Sequence, residues 1–380
     1  MKKKLMIISE ATSGGVRKHI LDLLFNLPIE KYELIFLYSL QRADKNMIES
    51  ISSLKDRGVR LIELKYMERS INIKRDIKSF NEISGYIKKF SPDIVHCHSS
   101  KAGAIGRISA KLLKVKKIYY TPHAYIMQNP DISNKKRYLF QSIEKVLSVL
   151  CTTKTINVSN GEREFAKKLK LDNPNKFVAI YNGIEEKKIS CNLSELKQEL
   201  GIEENNIVVG VAARIEMQKD PLTFIKIAEE ISNKNKDVKF IYIGDGKDKG
   251  KLERYIKEKS LEKNIKLTGF RNDIEELIQT LDIYLITSLY EGMPYSLIEA
   301  IKYGLPIVAT NVVGNNEIVE HEKNGLLFNV GDVKDGVEKL NLCIKNENTR
   351  KIMGENSRVI FEHKFTIKKM IENIDNIYSV

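Results

Sequence analysis

Short apolar runs alternate with amphipathic segments along nearly the whole chain. The runs are predominantly apolar and rich in β-branched and aromatic residues, while the segments between them repeat apolar residues every three to four positions. Such runs are typical of parallel strands that helices cover on both faces. In the first half, strands are predicted at 5–8, 32–38, 59–64, 93–97, 117–121 and 177–180, and helices at 16–26, 73–90, 103–113, 135–150 and 161–169.

The alternation restarts after a polar, charged stretch at 182–201, which is predicted to be an interdomain linker. Strands of a second sheet are predicted at 206–211, 238–243, 265–268, 283–287 and 306–309. A length of 380 residues suits two domains of roughly 150–200 residues each. The predicted fold class is therefore α/β, with two doubly wound, Rossmann-like parallel-sheet domains at 1–185 and 190–363. Ligands bind at the carboxyl ends of such strands, so the domains are expected to face each other across a cleft.

Composition excludes several classes of protein. The chain is 42% hydrophobic, and its charged residues are interspersed with apolar runs, which excludes wholesale disorder. No apolar run approaches the ~18–20 residues of a membrane-spanning helix, and the run at 5–8 is too short for a signal peptide. Four scattered cysteines indicate a reducing compartment without disulfides. The expected localisation is cytoplasmic.

The net charge of +13 is concentrated in the first half. Residues 1–190 hold 36 Lys and Arg against 19 Asp and Glu, whereas residues 191–380 hold 27 against 31. Residues 101–150 alone carry ten basic and two acidic side chains. This polarity favours an anionic partner for the first half, either nucleic acid or an anionic membrane surface; ordinary solvated lysines are the alternative.

Candidate chemistry in the first domain follows its strands. Gly14 and Gly15 open a helix after the first strand, where backbone N–H groups can approach a phosphate. His123 follows the fifth strand behind Pro122, which stiffens the turn. A metal site at the histidines of the fourth strand is not expected, because adjacent strand residues point to opposite faces and no carboxylate or further cysteine lies nearby in sequence. Further candidate ligand-binding residues at the end of the fourth strand and in the helix after it are His98, Lys101 and Arg107.

Cations and glycines follow the strands of the second domain. Arg214 and Lys219 come after the strand at 206–211, before a helix whose start Asp220 and Pro221 mark. An Arg that binds as a fork and a Lys that binds as a point charge suit a diphosphate; two unliganded surface cations are the alternative. Two further turns are expected to line a nucleotide base through Gly244, Asp245, Phe270 and Arg271.

The segment 290–300 carries the strongest signal. Glu291 ends a predicted strand, and a helix starts near Tyr295, so the first amides of that helix can hold a phosphate. Glu299 lies one turn into the helix, where it can accept hydrogen bonds from ribose hydroxyls. Two carboxylates also permit hydrolase chemistry, whose form depends on their separation. The candidate ligand-binding residues of this segment are Met293, Pro294, Tyr295, Ser296, Leu297 and Glu299.

Taken together, these motifs resemble the family 4 glycosyltransferases of the GT-B fold, in the same order and over essentially the whole chain. The resemblance rests on the E-x7-E spacing of Glu291 and Glu299, the Arg214/Lys219 pair, the Gly14-Gly15 loop, Thr-Pro-His at 121–123 and Asn-Gly-Ile at 182–184. It implies an N-terminal domain that binds the acceptor, with His98, Lys101 and Arg107 as the candidate acceptor residues. It also implies a C-terminal domain that holds a nucleotide sugar as donor, with the candidates of the segment 290–300 as donor-binding residues. It also implies that the last helix, within 364–380, packs back on the first domain.

The resemblance implies a role for each catalytic candidate. Glu291 would bind the donor hexose, Arg214 and Lys219 would neutralise the diphosphate, and His123 would lie beside the reacting sugar. Glu299 would bind the ribose, with Gly15 approaching the diphosphate from the other domain. The sequence contains no Asp-x-Asp, the motif that a metal-dependent transferase of the GT-A class needs. Neither a metal nor another cofactor is therefore expected.

The function that the resemblance implies is the retaining transfer of a hexose or N-acetylhexosamine. A UDP-sugar is the expected donor and a lipid-linked saccharide the expected acceptor, in capsule, exopolysaccharide or lipopolysaccharide assembly. The expected partners are these substrates and the inner face of the membrane. The amphipathic helix at 135–150 is expected to make the membrane contact. Nucleic acid is not an expected partner. The alternatives are a UDP-sugar 2-epimerase of the same fold, a protein that binds nucleic acid or an anionic surface, and a binding-only homologue.

Overall fold

A computed structural model of the protein describes residues 2–129, 132–187 and 190–379. The chain forms two compact units, one comprising Met1–Asn182 with Ile367–Val380 and the other comprising Gly183–Thr366. Among the residues that the structure describes, no helix has both the length and the apolar character needed to cross a membrane.

Strands and helices alternate strictly in the first unit. In chain order they are β1 Lys3–Ser9, α1 Gly14–Asn26, β2 Tyr32–Tyr38, α2 Lys45–Asp56, β3 Arg60–Glu63, α3 Ile73–Phe90, β4 Ile94–His98, α4 Ser100–Leu112, β5 Lys117–Thr121, α5 Asn134–Cys151, β6 Lys154–Asn157, α6 Asn160–Lys168 and β7 Phe177–Ala179. The seven strands form one parallel sheet in the order β3-β2-β1-β4-β5-β6-β7.

The second unit repeats the pattern with six strands. Its elements are α7 Leu193–Leu200, β8 Ile207–Ala212, α8 Pro221–Ser232, β9 Val238–Ile243, α9 Lys249–Glu258, β10 Ile265–Gly269, α10 Ile274–Ile278, β11 Ile283–Ile286, α11 Tyr295–Lys302, β12 Ile307–Thr310, α12 Asn315–Ile318, β13 Gly325–Phe328, α13 Val333–Lys345 and α14 Glu347–Lys364. Its parallel sheet has the order β10-β9-β8-β11-β12-β13. A final helix, α15 Ile367–Ser379, belongs to the first unit.

Both sheets reverse their winding direction at one point. In the first unit the reversal lies between β1 and β4, and in the second between β8 and β11. Such switch points open a crevice at the carboxyl edge of a doubly wound sheet, where ligands bind. The predicted fold class, two doubly wound α/β parallel-sheet domains, is confirmed.

Burial on both faces of β1 explains why its sequence is apolar throughout. Leu5 and Ile7 belong to one core cluster, and Met6 and Ile8 belong to the cluster on the opposite face. The first cluster also contains the apolar side of α15, which is Ile367, Met370, Ile374 and Tyr378. Polar contacts fix this helix further, since Asp375 accepts a hydrogen bond of 2.7 Å from the Tyr32 hydroxyl.

The structure differs from the sequence prediction in three places. The stretch 182–201 is not merely a linker, because it contains α7, which Asn192 caps; its residues 188 and 189 lie outside the described residues. The chain enters the first unit again after Thr366 rather than at 364, because Lys364 is the last residue of α14. The sequence patterns missed α2, β6 and β13, and they also missed five helices of the second unit, namely α9, α10, α12, α13 and α14.

Candidate functional site

The catalytic candidates of the second unit lie at its switch point. β8 and β11 are neighbouring strands, so the segment after β8 meets the segment after β11. Two hydrogen bonds join the segments: the Leu289 amide donates to the Gln218 carbonyl at 2.9 Å, and Gln218 Nε2 donates to the Tyr290 carbonyl at 3.1 Å. This junction positions the residue after Gln218 against the residue after Tyr290.

Those two residues, Lys219 and Glu291, form an ion pair. Both side chains are largely buried, with exposed fractions of 14% and 6%, and Ser288 Oγ donates to the same carboxylate oxygen at 2.6 Å. Arg214, by contrast, keeps 56% of its side chain exposed and pairs with Glu216 at 2.9 Å. The structure therefore brings a buried cation, a carboxylate and an accessible guanidinium to one edge of the sheet.

The helix after Lys219 starts as the sequence predicts. Asp220 occupies the N-cap of α8 with a φ of 43°, and its carboxylate accepts hydrogen bonds from the amide and the hydroxyl of Thr223. Pro221 is the first helical residue. Thr287 Oγ1 donates to the Lys219 and Asp220 carbonyls at 3.0 and 2.8 Å, which fixes this corner on the end of β11.

The helix α11 begins next to the ion pair. Its N-cap residue is Pro294, which has no side-chain acceptor to cap the first amides. The amides of Ser296 and Leu297 lie in that first turn, where an anion is stabilised by unpaired N–H groups and the helix dipole. Glu299 is largely buried one turn further on, and Tyr295 is buried as well. The arrangement can hold a phosphate at the start of α11.

Gly314 controls the position of Glu291. Its φ is 87°, and a Cβ added there would lie 2.6 Å from the Gly292 carbonyl oxygen and 3.1 Å from Glu291 Cβ. Only glycine allows this approach without moving the loop. No local sequence signal identifies Gly314 as a site residue, because its importance depends on a segment more than twenty residues away.

Two turns, at 244–245 and 270–271, are expected to line a nucleotide base, and the structure shows different contacts in each. Gly244 is required by close packing, since an added Cβ would lie 2.0 Å from the Ala213 carbonyl oxygen, and Asp245 beside it is exposed. Phe270 is 62% exposed. Hydrogen bonds from Arg271 to Asp273 and Glu199 raise the pKa of Arg271 and occupy its guanidinium. Two carboxylates of the same unit therefore engage the Arg271 guanidinium.

A cluster of histidines occupies the switch point of the first unit. His96 and His98 lie on one face of β4, and each makes a specific contact. His96 Nδ1 lies 2.5 Å from the Tyr378 hydroxyl and its Nε2 lies 2.9 Å from Thr121 Oγ1, so both nitrogens have partners within the fold. His98 Nδ1 lies 3.0 Å from His123 Nε2. This contact places two of the sequence-predicted residues together.

A third histidine, His19 of α1, completes the cluster. Its ring centroid lies 4.8 Å from that of His123 and 5.4 Å from that of His98, and its Nδ1 lies 2.9 Å from Asn182 Oδ1. Burial lowers the pKa of His19 to about 4 and lowers the pKa of His98 and His123 well below the usual value. The cluster is therefore uncharged at neutral pH. Nothing in the local sequence identifies His19, which is one turn of helix beyond the glycine loop.

The backbone at His123 is strained. His123 and Ala124 have φ values of 55° and 78°, which non-glycine residues rarely adopt. The Glu162 carboxylate holds the turn by accepting hydrogen bonds from the Ala124 amide at 2.6 Å and the Val158 amide at 2.9 Å. Strain that the surrounding structure maintains is concentrated at functional sites, which favours a role for His123.

The glycine loop before α1 is already partly occupied. The Gly14 amide donates to Asp44 Oδ2 at 3.1 Å, and Arg17 Nε pairs with the same oxygen at 3.1 Å. Gly14 therefore has an anionic partner within the fold, whereas Gly15 is exposed next to it. The sequence analysis also missed Glu10, which accepts hydrogen bonds from Ser99 Oγ and the Ala102 amide and so fixes the start of α4.

Two of the three acceptor candidates lie outside the histidine cluster. Arg107 is fully buried and forms two hydrogen bonds of 2.8 and 2.7 Å with Glu144. Burial opposes its charge, yet the Glu144 carboxylate holds its pKa above the usual value. The structure corrects the prediction for Arg107, which joins α4 to α5 and cannot reach an acceptor. Lys101 pairs with Asp76 at 2.5 Å, so only His98 of the three lies in the histidine cluster.

Comparisons with known proteins agree with this architecture. The family model described as "Glycosyltransferase Family 4" matches residues 13–188, and the one described as "Glycosyl transferases group 1" matches residues 193–359. An Escherichia coli UDP-Gal:alpha-D-GlcNAc-diphosphoundecaprenol alpha-1,3-galactosyltransferase is 32% identical over 329 residues, covering 85% of this chain and 84% of the relative. The Staphylococcus aureus capsular polysaccharide biosynthesis glycosyltransferase CapM is 24% identical, covering 95% and 96%.

The fold is also that of a solved structure. Anabaena HepE, crystallised in complex with UDP and glucose, has a TM-score of 0.84 and 20% identity, covering 99% of both chains. The two family models divide the chain between them as the two units do, and the resemblance seen in the motifs is confirmed. The expected enzyme class, a hexosyltransferase, is confirmed by the same relatives. The chain belongs to the family 4 glycosyltransferases.

Proposed function

We propose that this protein transfers a hexose or N-acetylhexosamine from a UDP-sugar to a lipid-linked saccharide during surface polysaccharide assembly. The reaction retains the anomeric configuration and requires no metal. The observation that carries the proposal is the Lys219–Glu291 ion pair beside the start of α11, with Arg214 exposed on the same sheet edge.

The second unit provides what a nucleoside diphosphate needs. Lys219 and Arg214 supply positive charge, and the first amides of α11 supply N–H donors. As the anomeric bond breaks, negative charge grows on the diphosphate oxygens, and donors already in place stabilise it. These groups take the role that a divalent metal has in transferases with Asp-x-Asp, a motif absent from this sequence.

The proposed chemistry moves one proton and one glycosyl group. The acceptor hydroxyl attacks the anomeric carbon from the face that the diphosphate leaves, the bond to the diphosphate oxygen breaks, and the hydroxyl proton passes to a phosphate oxygen. Glu291 binds hydroxyls of the donor sugar, and Glu299 binds the ribose. His123, neutral because it is buried, accepts or donates a hydrogen bond next to the reacting sugar.

The choice of UDP is supported by the relatives. The Escherichia coli enzyme uses UDP-Gal by its name, and the structure of Anabaena HepE contains UDP. The acceptor of the Escherichia coli enzyme is a diphosphoundecaprenol-linked sugar. At 32% identity over most of both chains, a lipid-linked acceptor is the proposal that this relative favours.

A lipid-linked acceptor requires contact with a membrane surface, and α5 provides a suitable face. The helix begins with the exposed cations Lys135 and Lys136 and carries Lys145 further on. Its exposed apolar side chains are Tyr138, Leu139, Ile143, Val146, Val149 and Leu150. Apolar side chains beside cations complement anionic lipid headgroups, at about 1 kcal/mol per Lys or Arg near the surface. We propose that α5 binds the protein peripherally to anionic lipid.

Nucleotide-dependent thermal stabilisation tests the proposed donor site. A ligand at ~100 times its Kd adds about 2.7 kcal/mol to the unit that binds it, which raises Tm by several degrees. We expect UDP, and not GDP or ADP, to raise Tm of the wild type, and Glu299→Gln to abolish the shift. Glu253→Gln, on the exposed face of α9, is the matched control and keeps it. A wild type that UDP does not stabilise would contradict the proposal.

A further inference from the structure

The histidine cluster has the composition of a metal site. One ring nitrogen from each of His19, His98 and His123 lies within 4.8 Å of the others. The three side chains come from α1, the end of β4 and the loop after β5, and are therefore positioned by the rigid switch point of the sheet. His96, the fourth member of the cluster, has both nitrogens occupied by Tyr378 and Thr121 and is not a ligand.

Two nitrogens of the cluster are buried without a partner. His19 Nδ1 faces Asn182 Oδ1, a carbonyl oxygen that can only accept, so Nδ1 carries the proton and Nε2 carries the lone pair. Among the residues that the structure describes, no hydrogen-bond partner reaches this buried Nε2 or the buried Nε2 of His98. A buried polar atom without a partner is unfavourable, and a metal ion coordinated by His19 Nε2 would remove that penalty at this atom.

We propose that His19, His98 and His123 bind one divalent transition-metal ion of the kind that prefers imidazole, with Zn²⁺ as the best match. Neutral imidazole is the form that binds metal, and three histidines with an open fourth position form a known type of zinc site. Zn–N distances of ~2.0–2.1 Å in tetrahedral geometry place ligand nitrogens ~3.3 Å apart. The 3.0 Å between His98 Nδ1 and His123 Nε2 is already close to this value.

Asn182 lies where it can orient His19 for metal binding. Metal-binding histidines usually donate the second ring N–H to an oxygen, which fixes the tautomer and the ring orientation. The hydrogen bond from His19 Nδ1 to Asn182 Oδ1 provides this contact before any metal is bound. The site is therefore preorganised at His19, while His123 has to exchange its hydrogen bond with His98 for the metal.

A bound metal would inhibit the enzyme. This consequence rests on the proposed function, because it requires His123 to contact the reacting sugar. A ring nitrogen that coordinates Zn²⁺ has no lone pair left to offer a sugar hydroxyl. Zinc would thus act as a reversible inhibitor that competes with the sugar for His123.

Direct metal binding tests the site without any substrate. Untagged, chelator-treated protein is titrated with Zn²⁺ by calorimetry, and with Co²⁺, whose visible absorption intensifies in a tetrahedral site. We expect one equivalent to bind, and His19→Gln to weaken binding at least tenfold. The double variant His321→Gln/His363→Gln removes the two histidines of the second unit and should bind like the wild type. Asn182→Ala keeps the three ligands and should weaken binding ~10–100-fold.

A second ligand variant guards against misfolding of His19→Gln. His123→Asn changes a half-buried loop residue with φ of 55°, a conformation that asparagine tolerates. Absence of binding to the wild type, equal binding to His123→Asn, or loss of binding in the His321/His363 variant would each overturn the metal site. Inhibition is measured separately, as Zn²⁺-dependent loss of UDP release that a chelator reverses. Because calorimetry needs no activity, failure of the proposed transferase function would leave the metal result intact.

Discussion

Lys219 and Glu291, 72 positions apart in sequence, form an ion pair. The segments that follow β8 and β11 at the switch point of the second sheet hold the two residues together. Ser288 donates to the same carboxylate oxygen, so Glu291 is held from two sides. The pair neutralises a largely buried cation. Under the proposed function, a bound diphosphate gives Lys219 a second anionic partner.

Removal of the Lys219 ammonium should act on the chemical step. We expect Lys219→Ala to lower kcat by roughly 10²–10³, the usual effect of losing one group that stabilises a developing oxyanion. Lys219→Arg should lose less, since it keeps the charge but changes the geometry. Steady-state release of UDP measures both. Lys247→Ala, an exposed lysine after β9, is the control and should match the wild type; equal rates for Lys219→Ala would disprove the role.

The close approach of Gly314 to the Glu291 loop predicts a specific effect of one methyl group. Gly314→Ala would place a Cβ 2.6 Å from the Gly292 carbonyl oxygen, so the loop must shift, and we expect the KM for the donor to rise. Gly331→Ala is the matched control: its φ of 73° is also left-handed, but nothing lies within 4 Å of the added Cβ. Both variants should lose about 1 kcal/mol of stability, and only Gly314→Ala should lose donor affinity. Identical kinetics for the two would contradict the packing argument.

The exposed apolar face of α5, which includes Leu139, predicts membrane binding. Leu139→Gln should reduce co-sedimentation with vesicles of anionic lipid, because it removes apolar area that inserts below the headgroups. Leu342→Gln on α13 is the control, since Leu139 and Leu342 have the same exposed fraction of 56%. Binding should also fall as salt rises, since cations such as Lys135 contribute. Equal binding to vesicles of zwitterionic and anionic lipid would argue against this interface.

The buried pair of Arg107 and Glu144 predicts a large loss of stability on single substitution. Arg107→Leu leaves a largely buried carboxylate without its partner and should cost about 3–5 kcal/mol, measured by urea unfolding of the first unit. The double variant Arg107→Leu/Glu144→Leu should recover much of this loss. Lys45→Ala, which breaks an exposed pair with Glu49, should cost under about 0.5 kcal/mol. A small effect of Arg107→Leu alone would mean that Glu144 finds another partner.

The sequence by itself determined the architecture, because each strand and helix has a local signature. Successive residues of β1 point to opposite faces of the sheet and are apolar on both, which is typical of a parallel strand that helices cover on both faces. Asp220 and Pro221 mark the start of a helix by capping chemistry that needs no tertiary contact. The E-x7-E spacing of Glu291 and Glu299 could also be recognised from the sequence, because Glu291 lies in the loop directly before the helix that carries Glu299. These features depend on neighbours within about ten positions.

Only the tertiary structure decided which side chains meet. Arg107 is buried and pairs with Glu144 of another helix. Its burial could not be predicted from the sequence, because that partner lies 37 positions away. His19 has no local signal, and it joins His98 and His123 because α1 and β4 flank the same switch point. Contacts between residues distant in sequence arise from strand order, and strand order is a property of the folded sheet rather than of any segment of the chain.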